Sequence, residues 1–108
     1  GHFLWRARRG PWRMIFHGYG ADGKITDGQT AWSTDPNLLQ WHWQPEPLYS
    51  STVRYSNGSS EVFTRRERPA LLFDKSGNPT HLYNGVQPPN ETWDGHSYSY
   101  VQAIRQRP

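Results

Sequence analysis

The sequence predicts an all-β protein built from short antiparallel strands joined by tight turns. Apolar and polar residues alternate with a period of two in several segments, and no window shows the 3.6-residue period of an amphipathic helix. Ten glycines and nine prolines are spread over 108 residues, and these residues end strands and form turns. Aromatic residues make up 15% of the chain, and aromatic side chains favour strands.

Four strands are predicted in the first part of the chain, at residues 3–5, 12–17, 30–33 and 39–43. The second of them is the clearest, because Trp12, Met14 and Phe16 recur at every other position. The turns between the strands contain glycine, proline or aspartate. Pro45 and Pro47 then indicate an exposed connection.

A hairpin is predicted next, with strands at 51–55 and 60–64 around Asn57-Gly58. This dipeptide predicts a type I′ turn, whose two central residues both need a positive φ. A strand then begins near Glu67, a turn follows at 74–79, and further strands are predicted at 81–83 and 96–101.

The spacing of the glycines suggests that one β unit occurs twice. Three glycines in the first half recur with the same spacing in the second half: Gly10, Gly18 and Gly28 correspond to Gly77, Gly85 and Gly95. The same alignment matches His17 with Asn84 and Ala31 with Tyr98. Such repeats are typical of four-stranded β-propeller blades. We therefore predict one domain over residues 1–108, with a first blade at 3–44, an inserted hairpin at 51–64 and a second blade at 67–101.

Two blades cannot close a ring. The sequence is therefore expected to be a fragment of a propeller, a module that assembles with other copies, or a different compact arrangement of the two sheets.

Composition excludes several classes of site. The chain has no cysteine, which rules out disulfides, cysteine-ligated zinc and thiol catalysis. Its five histidines have no metal-ligand spacing, so neither a metal nor another cofactor is predicted. The net charge of +3 does not favour nucleic-acid binding, and no run is long and apolar enough to cross a membrane. Two N-x-S/T sequons, at Asn57 and Asn90, favour a secreted glycoprotein.

Several motifs in combination resemble a known family. They are Phe3-Leu4-Trp5 with Met14 to Gly18, Ala31-Trp32-Ser33, Glu67-Arg68-Pro69, and His81 to Gly85. Together they resemble about two blades of the five-bladed β-propeller proteins related to glycoside hydrolase family 43 and, more distantly, family 32.

This resemblance implies roles for particular residues. Glu67 matches the general acid of the family's Glu-x-Pro motif. The family's second carboxylate would fall at Gly1, where it is absent, and the nucleophile or base would precede residue 1. The alternative for Glu67 is an ion-paired residue at the head of a strand, since Arg65, Arg66 and Arg68 surround it. His17, Trp32, Asn84 and His96 are the candidate substrate-binding residues.

Two functions are therefore expected from the sequence. The first is a fragment of a glycosidase-like propeller that binds or acts on glycans and is inactive as an isolated chain, because hydrolysis needs two carboxylates. The second is a non-catalytic carbohydrate-binding or structural module that self-assembles through exposed β edges. The expected partners are a glycan and copies of the chain itself.

Overall fold

The computed structural model describes residues 2–6, 9–19, 25–89 and 95–105, and every regular element in these ranges is a β-strand. The prediction of an all-β protein with antiparallel sheets is therefore confirmed. The strands form two sheets and one separate hairpin, and none of the three closes on itself. Within the described ranges, no helix is long and apolar enough to cross a membrane.

The first sheet is a four-stranded antiparallel meander. Its strands, in both chain and spatial order, are β1 (His2–Arg6), β2 (Trp12–Tyr19), β3 (Ile25–Ser33) and β4 (His42–Trp43). Residues that pair across strands point to the same face. Trp5 pairs with Arg13, and Arg13 pairs with Trp32. These three side chains therefore form one row on one face of the sheet.

The last strand of this sheet is shorter than the sequence predicts. Only residues 42 and 43 pair with β3, whereas residues 39–43 were expected to do so. The reason is Asp35, whose carboxylate accepts hydrogen bonds from the backbone N–H groups of Asn37, Leu39 and Gln40. Leu38 has a φ of 56°. This compact loop uses the backbone donors that a longer strand would offer to its neighbour.

The predicted hairpin forms, with strands β5 (Thr52–Arg54) and β6 (Ser60–Val62), but its turn differs from the expected type I′. Of the two residues that a type I′ turn would place at positive φ, Gly58 has a φ of 89° and Asn57 does not have a positive φ. The Gly58 N–H donates to the Tyr55 carbonyl, and the Tyr55 N–H donates to the Ser59 carbonyl. This is the pattern of a type I turn followed by a left-handed glycine.

The second sheet is a three-stranded antiparallel meander of β7 (Arg65–Phe73), β8 (Pro79–Gln87) and β9 (Tyr98–Ala103). The turn between its first two strands repeats the hairpin geometry, with Gly77 at a φ of 87°. A bulge interrupts β7 between Glu67 and Ala70, where Arg68 has a φ of 51°.

The equal spacing of the glycines holds for the first two strands of each sheet and fails at the third. Met14 pairs with Ala31 in the first sheet, while its counterpart His81 pairs with Ala103 in the second. Ala31 therefore corresponds in pairing to Ala103 rather than to Tyr98. The chain that joins the second and third strands is longer in the second sheet, and glycine spacing alone could not show this.

One face of each sheet packs against the other through a shared core. Ile15 of the first sheet, Leu82 of the second and Tyr49 of the connection form a buried cluster. A second cluster, Val53, Phe63 and Val86, holds the hairpin against the second sheet. Burial of apolar area is the main source of stability in such contacts.

The connection is fixed to the first sheet at Gly28. Its N–H donates to the Tyr49 carbonyl over 3.0 Å, and its carbonyl accepts from the Leu48 N–H over 2.8 Å. A Cβ at residue 28 would lie 2.0 Å from Cε2 of the Tyr49 ring. The close approach of this ring to the strand therefore requires glycine.

Candidate functional site

Glu67, the candidate acid, is an ion-paired residue of β7. Its Oε2 lies 2.8 Å from Nη2 of Arg65, its Oε1 lies 4.0 Å from Nε of Arg68, and its side chain is 17% exposed. This is the arrangement of the ion-paired alternative, and the catalytic role stays a prediction. The sequence position of the second carboxylate, Gly1, lies outside the described residues.

His17 is partly buried at the end of β2 and lies within electrostatic range of Glu67. Burial lowers the pKa of His17 below its ordinary 6.5, and the nearby charges of His2 and Arg65 lower it further. The carboxylate of Glu67 opposes this by raising the pKa. The structure thus places two of the sequence-predicted site residues in one neighbourhood.

Asn84 is also close to Glu67, but its polar atoms are used within the chain. It is 2% exposed. Its Nδ2 donates to the backbone carbonyl of Glu67 over 3.3 Å, and its Oδ1 accepts from Nε of Arg66 over 3.0 Å. In this arrangement Asn84 orders the start of the second sheet.

The other predicted residues lie elsewhere. Trp32 is on the face of the first sheet that looks toward the second, and its ring stacks on His42 with 4.2 Å between centroids. His96 is exposed and precedes β9. Asn57 is exposed in the hairpin turn, where its Oδ1 accepts from the Ser59 N–H and hydroxyl. Asn90 lies outside the described residues.

A cleft of about 1000 Å³ lies between the facing sheets. The row of Trp5, Arg13 and Trp32 lines its first-sheet wall, whereas Leu71, Leu82 and Gln102 line the wall from the second sheet. Of the five residues proposed from the sequence for catalysis or substrate binding, only Trp32 is part of this described lining. The volume of the cleft is at the upper end of the usual range for small-molecule sites, about 300–1,000 Å³.

Arg66 is a buried residue of the cleft lining, and the sequence did not indicate it as a candidate. It is 2% exposed. Its Nε donates to Asn84 Oδ1 over 3.0 Å, Nη1 to the Ser50 carbonyl over 2.8 Å, and Nη2 to Gln102 Oε1 over 3.0 Å. These bonds join the connection, β7, β8 and β9 at one point.

Two aromatic rings complete the surroundings of Arg66. Its Cζ lies 4.5 Å from the Tyr49 ring centroid and 5.7 Å from that of Tyr100. Burial lowers the pKa of Arg66 below its ordinary value, and both tyrosines oppose this effect. Burial also raises the pKa of Tyr49 to about 12, although the Arg66 charge acts in the opposite direction. Arg66 is therefore a buried cation stabilised by neutral acceptors, by π faces and, from farther away, by the charge of Asp27.

The alternation of side chains along a strand could indicate only in part that Arg66 is buried. Successive strand residues point to opposite faces, so the sequence Arg65-Arg66-Glu67 requires either the first and third residues or the second to face the core. Nothing local decides between them. The choice follows from the contacts of Arg66 with Tyr49 and Gln102, which are distant in sequence.

Among the described residues, no group of three histidine, aspartate or glutamate side chains could hold a metal ion. The groups in the cleft lining that could contact a ligand are instead aromatic rings, amide and carbonyl groups, and guanidinium groups. Comparison of the chain with protein-family models, curated proteins and solved structures found no significant match.

Proposed function

We propose that this chain is the glycan-binding part of a propeller-like protein related to glycosidases, and that the isolated chain binds a glycan without hydrolysing it. The cleft between the sheets carries the proposal. Trp5 and Trp32 lie on one wall, and aromatic side chains offer large apolar faces of the kind that can stack on the faces of sugar rings. Gln44 and Gln102 also line the cleft, and their amides can bond to hydroxyl groups.

The state of Glu67 supports binding without hydrolysis. Glu67 is not among the described lining residues of the cleft, and its carboxylate is paired with Arg65. A general acid must reach the leaving-group oxygen, and a second carboxylate must act from the other side of the bond. A glycan in this cleft would therefore lack the acid that the family resemblance assigns.

The test is a binding titration of the isolated chain with arabino- and xylo-oligosaccharides. Binding is measured by isothermal calorimetry and by the NMR signal of the Trp32 indole. Trp32→Ala should weaken binding about tenfold, because one aromatic contact adds about 0.5–1.5 kcal/mol beyond its buried area. Trp43→Ala is the matched control, since Trp43 is 65% exposed and is not among the described cleft-lining residues.

Circular dichroism would show that both variants fold. Loss of binding in Trp43→Ala but not in Trp32→Ala would contradict the assignment of the cleft. Hydrolysis of aryl arabinosides or xylosides by the isolated chain, abolished in Glu67→Gln, would contradict the non-catalytic part.

A second candidate function is assembly with further sheets, which the outer faces of the two sheets favour. Leu4 pairs with Met14, Met14 with Ala31, and Ala31 with Trp43. This row alternates with the row of Trp5, Arg13 and Trp32 that lines the cleft. Leu4 and Trp43 in this row are exposed. Exposed apolar patches of this kind mark interaction surfaces.

The outer face of the second sheet has the same character, with a row in which Tyr83 and Val101 are exposed. In a propeller the next blade would cover each face. Analytical ultracentrifugation should show self-association at micromolar concentration, weakened by Trp43→Lys and by Tyr83→Lys. A monomer across this range would exclude self-assembly.

A further inference from the structure

We propose that the inter-sheet cleft selects an acidic sugar, with the carboxylate of a uronate held by Arg13. This inference rests on the proposed function, because it takes the cleft as the glycan site and names the class of glycan. It is carried by the distribution of charge in the cleft, which the chain's net charge of +3 does not reveal.

All formal charge on the described cleft lining is positive. Arg13, Arg54 and Arg66 come from three different strands and line the same cleft. No aspartate or glutamate is found among the described lining residues. Like charges that share one partly desolvated space raise each other's energy, and an anion between them lowers it. The charge of the cleft lining therefore matches a negatively charged ligand.

Arg13 is the guanidinium placed to contact such a ligand. It is exposed, and neither a hydrogen bond nor an ion pair joins it to another described residue. Arg65, in contrast, is bonded to Glu67. The planar fork of a guanidinium matches the two oxygens of a carboxylate, so Arg13 offers this geometry to a ligand without first giving up a partner.

The neighbours of Arg13 favour a sugar carboxylate over a free inorganic anion. Arg13 pairs with Trp5 on one side and Trp32 on the other, so a tryptophan lies beside Arg13 on each adjacent strand. Leu71 and Leu82 lie on the opposite wall. A uronate combines a carboxylate with a ring that has apolar faces, and this combination fits an arginine with a tryptophan at the paired position of each neighbouring strand.

Arg66 adds charge to the floor of the cleft without being available for direct contact. It is 2% exposed, and three of its donors are bonded to neutral acceptors. No carboxylate lies within salt-bridge distance of it among the described residues. The carboxylate of Asp27 acts on Arg66 only from beyond salt-bridge distance. A buried cation without a directly paired acid favours anions nearby, so a bound carboxylate would lower the electrostatic energy of the cleft.

The experiment compares two matched probes by calorimetry on the intact chain: tri-galacturonate and its neutral counterpart galactotriose. We expect the acidic probe to bind at least about tenfold more tightly at low salt, as is typical of a hydrogen bond to a charged group, and to lose most of this advantage at high salt. Arg13→Gln should remove the difference between the probes. Lys75→Gln removes one positive charge from an exposed turn that does not line the cleft, and it should leave the difference unchanged.

Each other outcome decides a separate point. Equal affinity for both probes would overturn the selectivity for acidic sugars and leave glycan binding in place. No binding of either probe, or of the neutral arabino- and xylo-oligosaccharides, would overturn the proposed function together with this inference. Full displacement of tri-galacturonate by an equal concentration of inorganic phosphate would show a general anion site and overturn the uronate assignment. Undiminished selectivity in a folded Arg13→Gln variant would overturn the role of Arg13.

Discussion

Replacing Arg66 by methionine tests whether this buried cation holds the second sheet to the connection. The substitution keeps an unbranched side chain of similar length and removes the charge and the three donated hydrogen bonds. Replacing a buried ion by an apolar residue can be neutral or stabilising when its partners are also removed. Here the partners remain, so the result depends on which acceptors can find water.

The structure allows the cost to be worked out. Gln102 and Ser50 are exposed residues, so their acceptors can turn to solvent at small cost. Asn84 is 2% exposed, and an unsatisfied buried acceptor costs about 1–3 kcal/mol. The Tyr49 ring also loses a cation 4.5 Å from its centroid, a contact of about 0.5–2 kcal/mol. After allowance for the recovered desolvation of the cation, we expect a loss of about 2–3 kcal/mol in the free energy of unfolding.

The assay is equilibrium unfolding in urea followed by tryptophan fluorescence, with an unchanged slope m as evidence that the variant unfolds in the same way. Arg13→Met is the matched control, because Arg13 lies in the same cleft with an exposed side chain, and its effect should stay within about 0.5 kcal/mol. Adding Asn84→Leu to Arg66→Met should cost less than the sum of the two single substitutions, because it removes the stranded acceptor although the Glu67 carbonyl loses its donor. An Arg66→Met protein as stable as the wild type would refute the reasoning.

Three further predictions concern the backbone and pH. Gly28→Ala should destabilise the fold by about 1–3 kcal/mol or more, because its Cβ would lie 2.0 Å from the Tyr49 ring. Gly85→Ala is the control in the same urea assay. The nearest atom to its Cβ would be 3.9 Å away, so its effect on stability should be close to zero. Burial raises the pKa of Tyr49 to about 12, so the protonated hydroxyl favours folding, and the associated stability should be intact below pH 10 and decline toward pH 12. Tyr49→Phe should flatten this decline in unfolding experiments, and equal pH dependence of both proteins would contradict the assignment. The Asn78 and Ser76 N–H groups lower the pKa of Asp74 from 3.8. The stability that ionised Asp74 adds to the fold should therefore be present above pH 3.8 and lost as pH falls below it. An NMR titration that gives an ordinary pKa for Asp74 would contradict this prediction.

The sequence was informative where structure depends on residues close together in the chain. Strand alternation at Trp12, Met14 and Phe16 and the turns at Gly58 and Gly77 are present as predicted elements. Even so, the turn at Asn57-Gly58 has a different type, and Asp35 shortens β4 by taking backbone donors. In both cases a local hydrogen bond competes with the expected geometry, and residue type alone does not decide which of the two forms.

The candidate site shows the opposite situation. Glu67 could be named from its motif, but its pairing with Arg65 depends on the side-chain arrangement at the start of β7. The cleft could not be found from any one segment, because its lining residues come from both sheets, the hairpin and the connection after Pro47. Glycine spacing also predicted the wrong counterpart of Ala31 in the second sheet. The longer chain before β9 changes which residue of that strand pairs at the equivalent position.

Short antiparallel strands could be predicted from the sequence alone, because alternation and turn chemistry act over a few residues. Only the tertiary structure decided which arginine is buried, because Arg66 is held by Ser50, Asn84 and Gln102 from three distant segments. It also decided that Arg13, Arg54 and Arg66 share one cleft. The free energy of a charge depends on everything that surrounds it in space, and that surrounding exists only after the two sheets have packed together.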